Sequence, residues 1–246
     1  MDLRFLGFAA FHIKTMEGID ILIDPFIKDN VASPVKAGDF DKVDLILVSH
    51  AAFDHIGDTA DIAVKYGSKI ICGGDSKILL MSKGVPERQI IETTWGLTVE
   101  AAGVRVRPVE SRHRSACKLP DGSWVTAPPL GFIIFLPESV RIYNASDTAI
   151  FSDMKLIGEL HRPQIGLMNV TIENDFDFLP TFHTGEMTAY EAALASQWMG
   201  LEYAVACHYT RRDCPDVDQF VTLLEAAPYV KPVALNPGET FNYTVK

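Results

Sequence analysis

The segment that most restricts the fold of this chain is an apolar run that ends in histidine and aspartate residues. Between its first and last positions, the run at 44–49 (DLILVS) is wholly apolar, which is typical of a strand buried on both faces. His50, Asp54 and His55 follow directly. Because side chains at the end of a buried strand lie on a loop held by a rigid scaffold, the segment predicts a polar site at one sheet end.

Short β-type runs alternate with helical patterns along the rest of the chain. Residues 3–8 and 19–23 flank the turn signal at 17–18, which predicts an opening hairpin. The patterns predict further strands at 69–72, 98–101, 104–108, 131–136, 140–144, 164–170, 203–207 and 233–235, and helices at 58–66, 75–82, 152–160, 188–199 and 217–225. Three prolines and a glycine in residues 115–130 predict a long loop. Because no Gly/Ser linker divides the chain, we predict one layered α/β domain over residues 1–246.

The net charge of −10 disfavours some classes of partner. An acidic surface repels phosphate backbones and anionic membranes, so we expect a small-molecule substrate, no nucleic acid and no membrane partner. The first residues lack the features of a signal peptide, and no run reaches the roughly 18 apolar residues that a membrane span needs. The four cysteines form no C-x-x-C pair and predict reduced thiols. We therefore expect a cytoplasmic protein.

The spacing H-x-x-x-D-H at 50–55 has two readings. Imidazole and carboxylate side chains together suit zinc, manganese, iron and nickel, which favours a metal site. Taken alone, the same residues also fit a polar loop with a capping aspartate.

The wider sequence favours the metal site through a resemblance. Residues 50–55 resemble the H-x-H-x-D-H signature of the metallo-β-lactamase superfamily, with Ala52 where the family has its second histidine. Residues 5–7 (FLG) and 23–26 (IDPF) resemble the start of small bacterial metal-dependent hydrolases of the ascorbate-6-phosphate lactonase-like type. Three later segments match the family's remaining ligand segments in order: His113, residues 144–148 (NASDT) and residues 207–209 (CHY).

The resemblance covers nearly the whole chain and implies a fold and a ligand set. The implied fold is an αββα sandwich of two mixed sheets with helices outside and the ligands on loops along one edge. One implied site holds His50 and His113, the other holds Asp54, His55 and His208, and Asp147 bridges them. The implied cofactor is one or two divalent metal ions, zinc first, with manganese, iron or nickel as alternatives. Relatives often assemble, which implies a homo-oligomer.

Ala52 leaves the first implied site one ligand short, because alanine cannot bind a metal. The chain then works with one metal, or holds a weaker second metal through water, or uses another residue. His183, close to Glu186 and just before a predicted helix, either replaces the ligand, contacts substrate or is a solvated loop histidine. Asp24 either holds the second ring nitrogen of a ligand histidine or is a turn residue before Pro25.

The leading function is hydrolysis of a small anionic substrate, such as a lactone, ester, amide or phosphodiester, by a metal-bound hydroxide. We predict Asp54 and His183 as catalytic residues. His183, Arg112 and Arg211 are predicted to bind the substrate's anionic group, although flanking arginines also fit a solvated rim. Two rivals remain: a nuclease or nucleotide phosphodiesterase of the same superfamily, and a degenerate protein that binds metal or ligand without turnover.

Overall fold

The computed structural model describes residues 1–170, 185–227 and 229–244 of the chain. Its strands are β1 (Asp2–Phe5), β2 (Phe11–Lys14), β3 (Asp20–Ile23), β4 (Leu45–Val48), β5 (Lys69–Cys72), β6 (Ile90–Glu92), β7 (Val99–Ala101), β8 (Val104–Glu110), β9 (Ala116–Lys118), β10 (Trp124–Thr126), β11 (Leu130–Phe135), β12 (Arg141–Asn144), β13 (Ile165–Asn169), β14 (Tyr203–Cys207), β15 (Lys231–Val233) and β16 (Thr240–Asn242). Its helices are α1 (Phe53–Ile56), α2 (Thr59–Tyr66), α3 (Gly74–Ser82), α4 (Met154–His161), α5 (Ala189–Trp198) and α6 (Pro215–Glu225). In these residues no helix is long and apolar enough to cross a membrane.

Two mixed sheets of seven strands each organise the described chain. The first has the order β16-β1-β2-β3-β4-β5-β6, and the second has the order β15-β14-β13-β12-β11-β8-β7. Strands β3 to β6 run parallel in the first sheet, and β12 to β15 run parallel in the second. Within each parallel set the carboxyl ends of the strands therefore share one edge, where loops can bring polar side chains together.

The central strands are buried on both faces, which explains why their sequences are continuously apolar. In β4, Leu45 and Leu47 belong to the core that joins the two sheets, whereas Ile46 and Val48 belong to a second core with α2 and α3. On the other sheet, α5 packs against β13 and contributes alanines such as Ala192 to the shared core. The layers are helix, sheet, sheet and helix, which confirms the predicted αββα sandwich.

The structure corrects several predicted elements. The prediction that residues 3–8 and 19–23 form an opening hairpin is wrong, since β2 lies between these two strands and pairs with both β1 and β3. Residues 115–130 are not simply a loop, because β9 and β10 form a hairpin whose turn contains Gly122 at φ +87°. Strands β6 and β16 were not predicted. Each is three residues long and lies at an edge of the first sheet. Its strand conformation depends on pairing with the neighbouring strand, because so short a run carries no clear sequence pattern.

A glycine fixes the end of the short helix α1, which carries Asp54 and His55. Gly57 has a φ of +36°, and a Cβ there would lie 2.6 Å from Pro25 O and from Phe26 Cα. Only a residue without a side chain allows this approach. The segment that leaves β3 can therefore pack directly against α1.

We expect Gly57→Ala to lower the free energy of unfolding by about 2–5 kcal/mol, since overpacking costs about 1–3 kcal/mol and a left-handed backbone about 1–2 kcal/mol. Gly67→Ala is the matched control, because Gly67 ends α2 at φ +73° with nothing within 4 Å of its Cβ position. Urea unfolding of both variants measures the difference. Equal losses in the two variants would contradict the close approach at Gly57.

Candidate metal centre

The predicted ligands come together where parallel strands of both sheets end. His50 lies two residues after β4, Asp147 three residues after β12, and His208 directly after β14. His113 follows β8 by three residues, and α1 supplies the remaining two side chains. The site thus spans both sheets at one edge of the sandwich, as predicted.

Four of these side chains form a first cluster. The ligand atoms of Asp54, His55, Asp147 and His208 all lie within 4.8 Å of one another. Asp147 is central, with Oδ2 at 3.0 Å from His55 Nε2 and Oδ1 at 3.3 Å from His208 Nε2. Asp54 Oδ2 lies 3.9 Å from each of the same two imidazole nitrogens. This is the ligand set that the resemblance implies for the complete site.

A second cluster shares Asp147 with the first. His50, His113 and Asp147 also have ligand atoms within 4.8 Å of one another. His50 Nε2 and His113 Nε2 lie 3.8 Å and 3.9 Å from Asp147 Oδ2. A single carboxylate therefore faces both groups of histidines, which is the arrangement of a bridging ligand. Ala52, at the N-cap of α1, adds no ligand atom to either cluster.

The buried polar atoms of this centre fit a bound cation. Nε2 of His50, His55 and His208 and Oδ1 of Asp147 are buried and make no well-aligned hydrogen bond among the described residues, although the His55 and His208 nitrogens lie close to the Asp147 carboxylate. Polar atoms buried without partners cost free energy, and a divalent cation bound between them would remove that cost. Imidazole and carboxylate ligands suit zinc, manganese, iron or nickel.

Asp24 orients His55 through the ring nitrogen Nδ1. It follows β3 and is fully buried, and its Oδ2 lies 2.9 Å from His55 Nδ1. Ser49 donates to the same carboxylate through its backbone nitrogen (2.8 Å) and its hydroxyl (2.7 Å). A carboxylate at Nδ1 holds the proton there and leaves Nε2 free for a metal. Of its two predicted roles, Asp24 therefore has the supporting one.

The backbone at His208 adopts a conformation that non-glycine residues rarely use. Its φ is +70°, and Phe8 opposite has a φ of +51°. The two segments are joined by hydrogen bonds from His208 N to Phe8 O (2.7 Å) and from Phe8 N to Tyr209 O (2.9 Å). Backbone strain of this kind persists where surrounding contacts hold it, and it often marks a functional site.

Burial and neighbouring charges shift the pKa values of the cluster strongly. Burial holds the pKa of His50 well below its usual value, and the neighbouring His55 lowers it further. Burial also lowers the pKa of His55, but three carboxylates, Asp147 foremost, outweigh it and raise that pKa well above its usual value. In the same way Asp147 outweighs burial at His208 and raises its pKa to about 9. The Asp147 carboxylate thus attracts positive charge on several sides, as a metal ligand must.

The arginines predicted to bind substrate have other partners. The Arg112 side chain donates from Nε to Glu110 (2.9 Å) and lies over the Phe151 ring. The Arg211 side chain is 78% exposed and its Nε lies 3.6 Å from Asp213. In both cases the acidic partner is only two residues away, a signal that the sequence contains. Their role at the substrate stays a prediction.

Of the two remaining residues that the sequence suggested, the structure describes Glu186 but not His183. His183 lies outside the described residues, so its predicted role in catalysis, ligation or substrate binding stays a prediction. Glu186 is described, and it is buried beside the centre. The sequence showed it only as a neighbour of His183, because nothing in the local pattern signals its burial.

Comparisons with known proteins identify relatives over nearly the whole chain. A family model described as a beta-lactamase superfamily domain matches residues 20–209. A UPF0173 metal-dependent hydrolase from Methanobrevibacter smithii is 32% identical over 99% of this chain and 97% of its own length. The solved structure of Igni18, a metallo hydrolase from Ignicoccus hospitalis, is 29% identical with a TM-score of 0.78 and covers 99% of both chains.

A more distant structure shares the fold alone. The isothiocyanate hydrolase from Delia radicum gut bacteria has a TM-score of 0.74 over 99% of both chains, at 17% identity. At that identity the likeness carries no information about the substrate of the present chain.

Proposed function

Because the chain belongs to the metallo-β-lactamase superfamily, and within it to the UPF0173 metal-dependent hydrolases, we propose that it hydrolyses a small anionic substrate at a dinuclear centre bridged by Asp147. The observation that carries the proposal is the position of Asp147, whose carboxylate belongs to both ligand clusters. A bound dication supplies Lewis acidity and lowers the pKa of water from about 15.7 toward 7. Zinc is the first metal to test, and manganese, iron and nickel suit the same ligands.

Each residue around that centre has its own role in the proposal. His55 and His208 place Nε2 toward Asp147, and Asp24 keeps the proton of His55 on Nδ1. Asp54 is the most exposed member of the first cluster, at 8% against 5% for His208. In the proposal Asp54 binds metal and accepts a hydrogen bond from the attacking water, which orients the water toward the substrate.

A groove beside the ligand loop supports an anionic substrate with an apolar body. It has a volume of about 470 Å³, within the usual range for small-ligand sites, and includes Ala51 and Phe53, which flank Ala52. Trp124, 64% exposed, forms part of its apolar wall. Lys83 and Lys118 line the groove together with Asp29 and Asp58, and the Asp58 carboxylate already accepts two backbone hydrogen bonds. In the proposal these lysines take the anion-binding role that the sequence suggested for the arginines.

The resemblance to the ascorbate-6-phosphate lactonase-like type makes an anionic lactone the first substrate class to test. Esters, amides and phosphodiesters with an acidic group follow. The groove has the size of a small-ligand site, and the protein around it has a net negative charge. Both features favour a small-molecule substrate over a nucleic acid chain. Nucleotide phosphodiesters belong in the same panel, because their hydrolysis would favour the nuclease-like alternative.

We expect the metal-loaded enzyme to hydrolyse carboxylated or phosphorylated lactones and esters at least about tenfold faster, in kcat/KM, than neutral analogues of equal size. Lys118→Gln should raise KM for the anionic partner about two- to fivefold, since an exposed charge contributes up to about 1 kcal/mol, and leave the neutral partner unchanged. The exposed Lys36→Gln, outside the groove, is the control. A preference for neutral substrates would refute the proposed substrate class, and bound metal without any turnover would support the degenerate alternative.

A further inference from the structure

Glu186 is held against the metal centre by two independent contacts of its segment. With the Asn169 amide turned so that its oxygen and nitrogen both find partners, the following residue, Met187, donates its backbone N–H to the Asn169 oxygen (2.8 Å) and the Asn169 nitrogen donates to Ser146 O (2.8 Å). Ser146 directly precedes Asp147, so Asn169 ties the Glu186 segment to the turn that carries the bridging carboxylate. The position is therefore fixed by the fold.

The start of α5 fixes the same segment from the other side. Thr188 caps the helix, its hydroxyl accepting from Glu191 N (3.2 Å) while its own N–H donates to Glu191 Oε2 (2.9 Å). This reciprocal capping box removes freedom from the two residues after Glu186. The backbone that carries Glu186 is therefore held beside the centre from both sides.

One oxygen of the Glu186 carboxylate is buried without a partner. The residue is 6% exposed, and its Oε2 has no hydrogen-bond partner among the residues that the structure describes. Asp147 Oδ1 and His208 Nε2 face each other at 3.3 Å, and neither makes a well-aligned hydrogen bond among the described residues. The Asp147 carboxylate is the direct neighbour of Glu186.

Two buried carboxylates side by side repel each other unless a cation lies between them. Asp147 is the common member of both ligand clusters. Glu186 is outside the compact set of four, but its carboxylate lies against Asp147 and near His208, so it faces a cation held by these two residues. The chain has lost an imidazole at Ala52, and Glu186 adds an oxygen donor near the other cluster. Oxygen-rich sites of this kind suit manganese better than sites made of nitrogen ligands.

We infer that Glu186 is an additional metal ligand, which binds the cation of the Asp54–His55–Asp147–His208 cluster through its carboxylate. The inference rests on the proposed function, because both require a metal at Asp147. It adds a third carboxylate to two imidazoles at that cluster and assigns a ligand that the H-x-x-x-D-H segment does not contain.

The test measures metal binding rather than turnover. Glu186→Gln keeps the shape of the side chain and removes its charge, and Glu186→Asp keeps the charge on a shorter stem. Glu159→Gln, an exposed residue of α4, is the control. Chelator competition gives the Mn²⁺ affinity of each protein, and the visible absorption of the Co²⁺-loaded proteins reports the number of ligands. Near-UV circular dichroism shows whether each variant is folded.

The expected result is at least a tenfold weaker Mn²⁺ affinity and a changed Co²⁺ spectrum in Glu186→Gln, with Glu159→Gln unchanged and Glu186→Asp in between. Parent affinity and an unchanged spectrum in Glu186→Gln would overturn the inference and leave Glu186 as a neighbour that shares a proton with Asp147. If Glu186→Gln does not fold, the spectrum of Glu186→Asp decides in the same way. Parent affinity in Asp147→Asn would instead overturn the centre itself, so the two failures are distinguishable.

Discussion

Asp147→Asn is expected to empty both metal positions and to lower kcat/KM by more than about 100-fold. Residues that only orient a metal ligand contribute about 10–100-fold to affinity or activity, so a carboxylate shared by two clusters should contribute more. Asparagine keeps the size of the side chain but offers one neutral oxygen where Asp147 Oδ1 faces His208 and Oδ2 faces His55. Elemental analysis and turnover of the substrate panel measure the two effects.

The control is Asp61→Asn, which removes an exposed aspartate from the first turn of α2. We expect parent metal content and parent activity in this variant. If Asp147→Asn kept a full complement of metal, Asp147 would not be a bridging ligand and the two clusters would be independent sites. Loss of one metal with retention of the other would show that Asp147 serves only one side.

The parts of the fold that the sequence predicts well are the buried parallel strands. The pattern predicts residues 69–72 as a strand with the bounds that β5 has, because the three residues after Lys69 are apolar and buried on both faces of the strand. Strand β2 escaped prediction although it is central in its sheet, because its four residues include His12 and Lys14. His12 is tolerated there since its Nε2 lies 2.7 Å from Asp20, a pairing that only the folded sheet brings about.

The candidate site is also predictable from the sequence only in part. The identities of the ligands came from the resemblance, and their meeting at one edge follows from the ends of parallel strands. The left-handed backbone at His208 depends on pairing with Phe8, some 200 residues away in sequence, so no local pattern predicts it. The burial of Glu186 depends likewise on the contact of Asn169 with the next residue. Long-range contacts of this kind are what the sequence alone does not reveal.

Asp24→Asn is expected to lower metal affinity about 10–100-fold while the protein still folds. Asp24 has a φ of +44°, a conformation that asparagine tolerates, so the substitution adds little backbone strain. The new amide donates to His55 Nδ1 where the carboxylate accepted. The proton of His55 then moves to Nε2, and that tautomer cannot bind a metal. Chelator competition gives the affinity, and nitrogen chemical shifts of the histidine ring identify the tautomer.

A second buried aspartate–histidine pair provides the control that separates loss of metal affinity from general destabilisation. Asp20 begins β3 and its Oδ1 lies 2.7 Å from His12 Nε2, whereas Asp24 follows the end of β3 beside the centre. Asp20→Asn should cost about 1–3 kcal/mol of stability through its unsatisfied buried groups and leave metal affinity unchanged. If both variants lost metal affinity equally, weakening of the sheet would explain the loss. If Asp24→Asn alone lost it, with the His55 proton on Nε2, the carboxylate behind His55 would be what keeps that histidine able to bind metal.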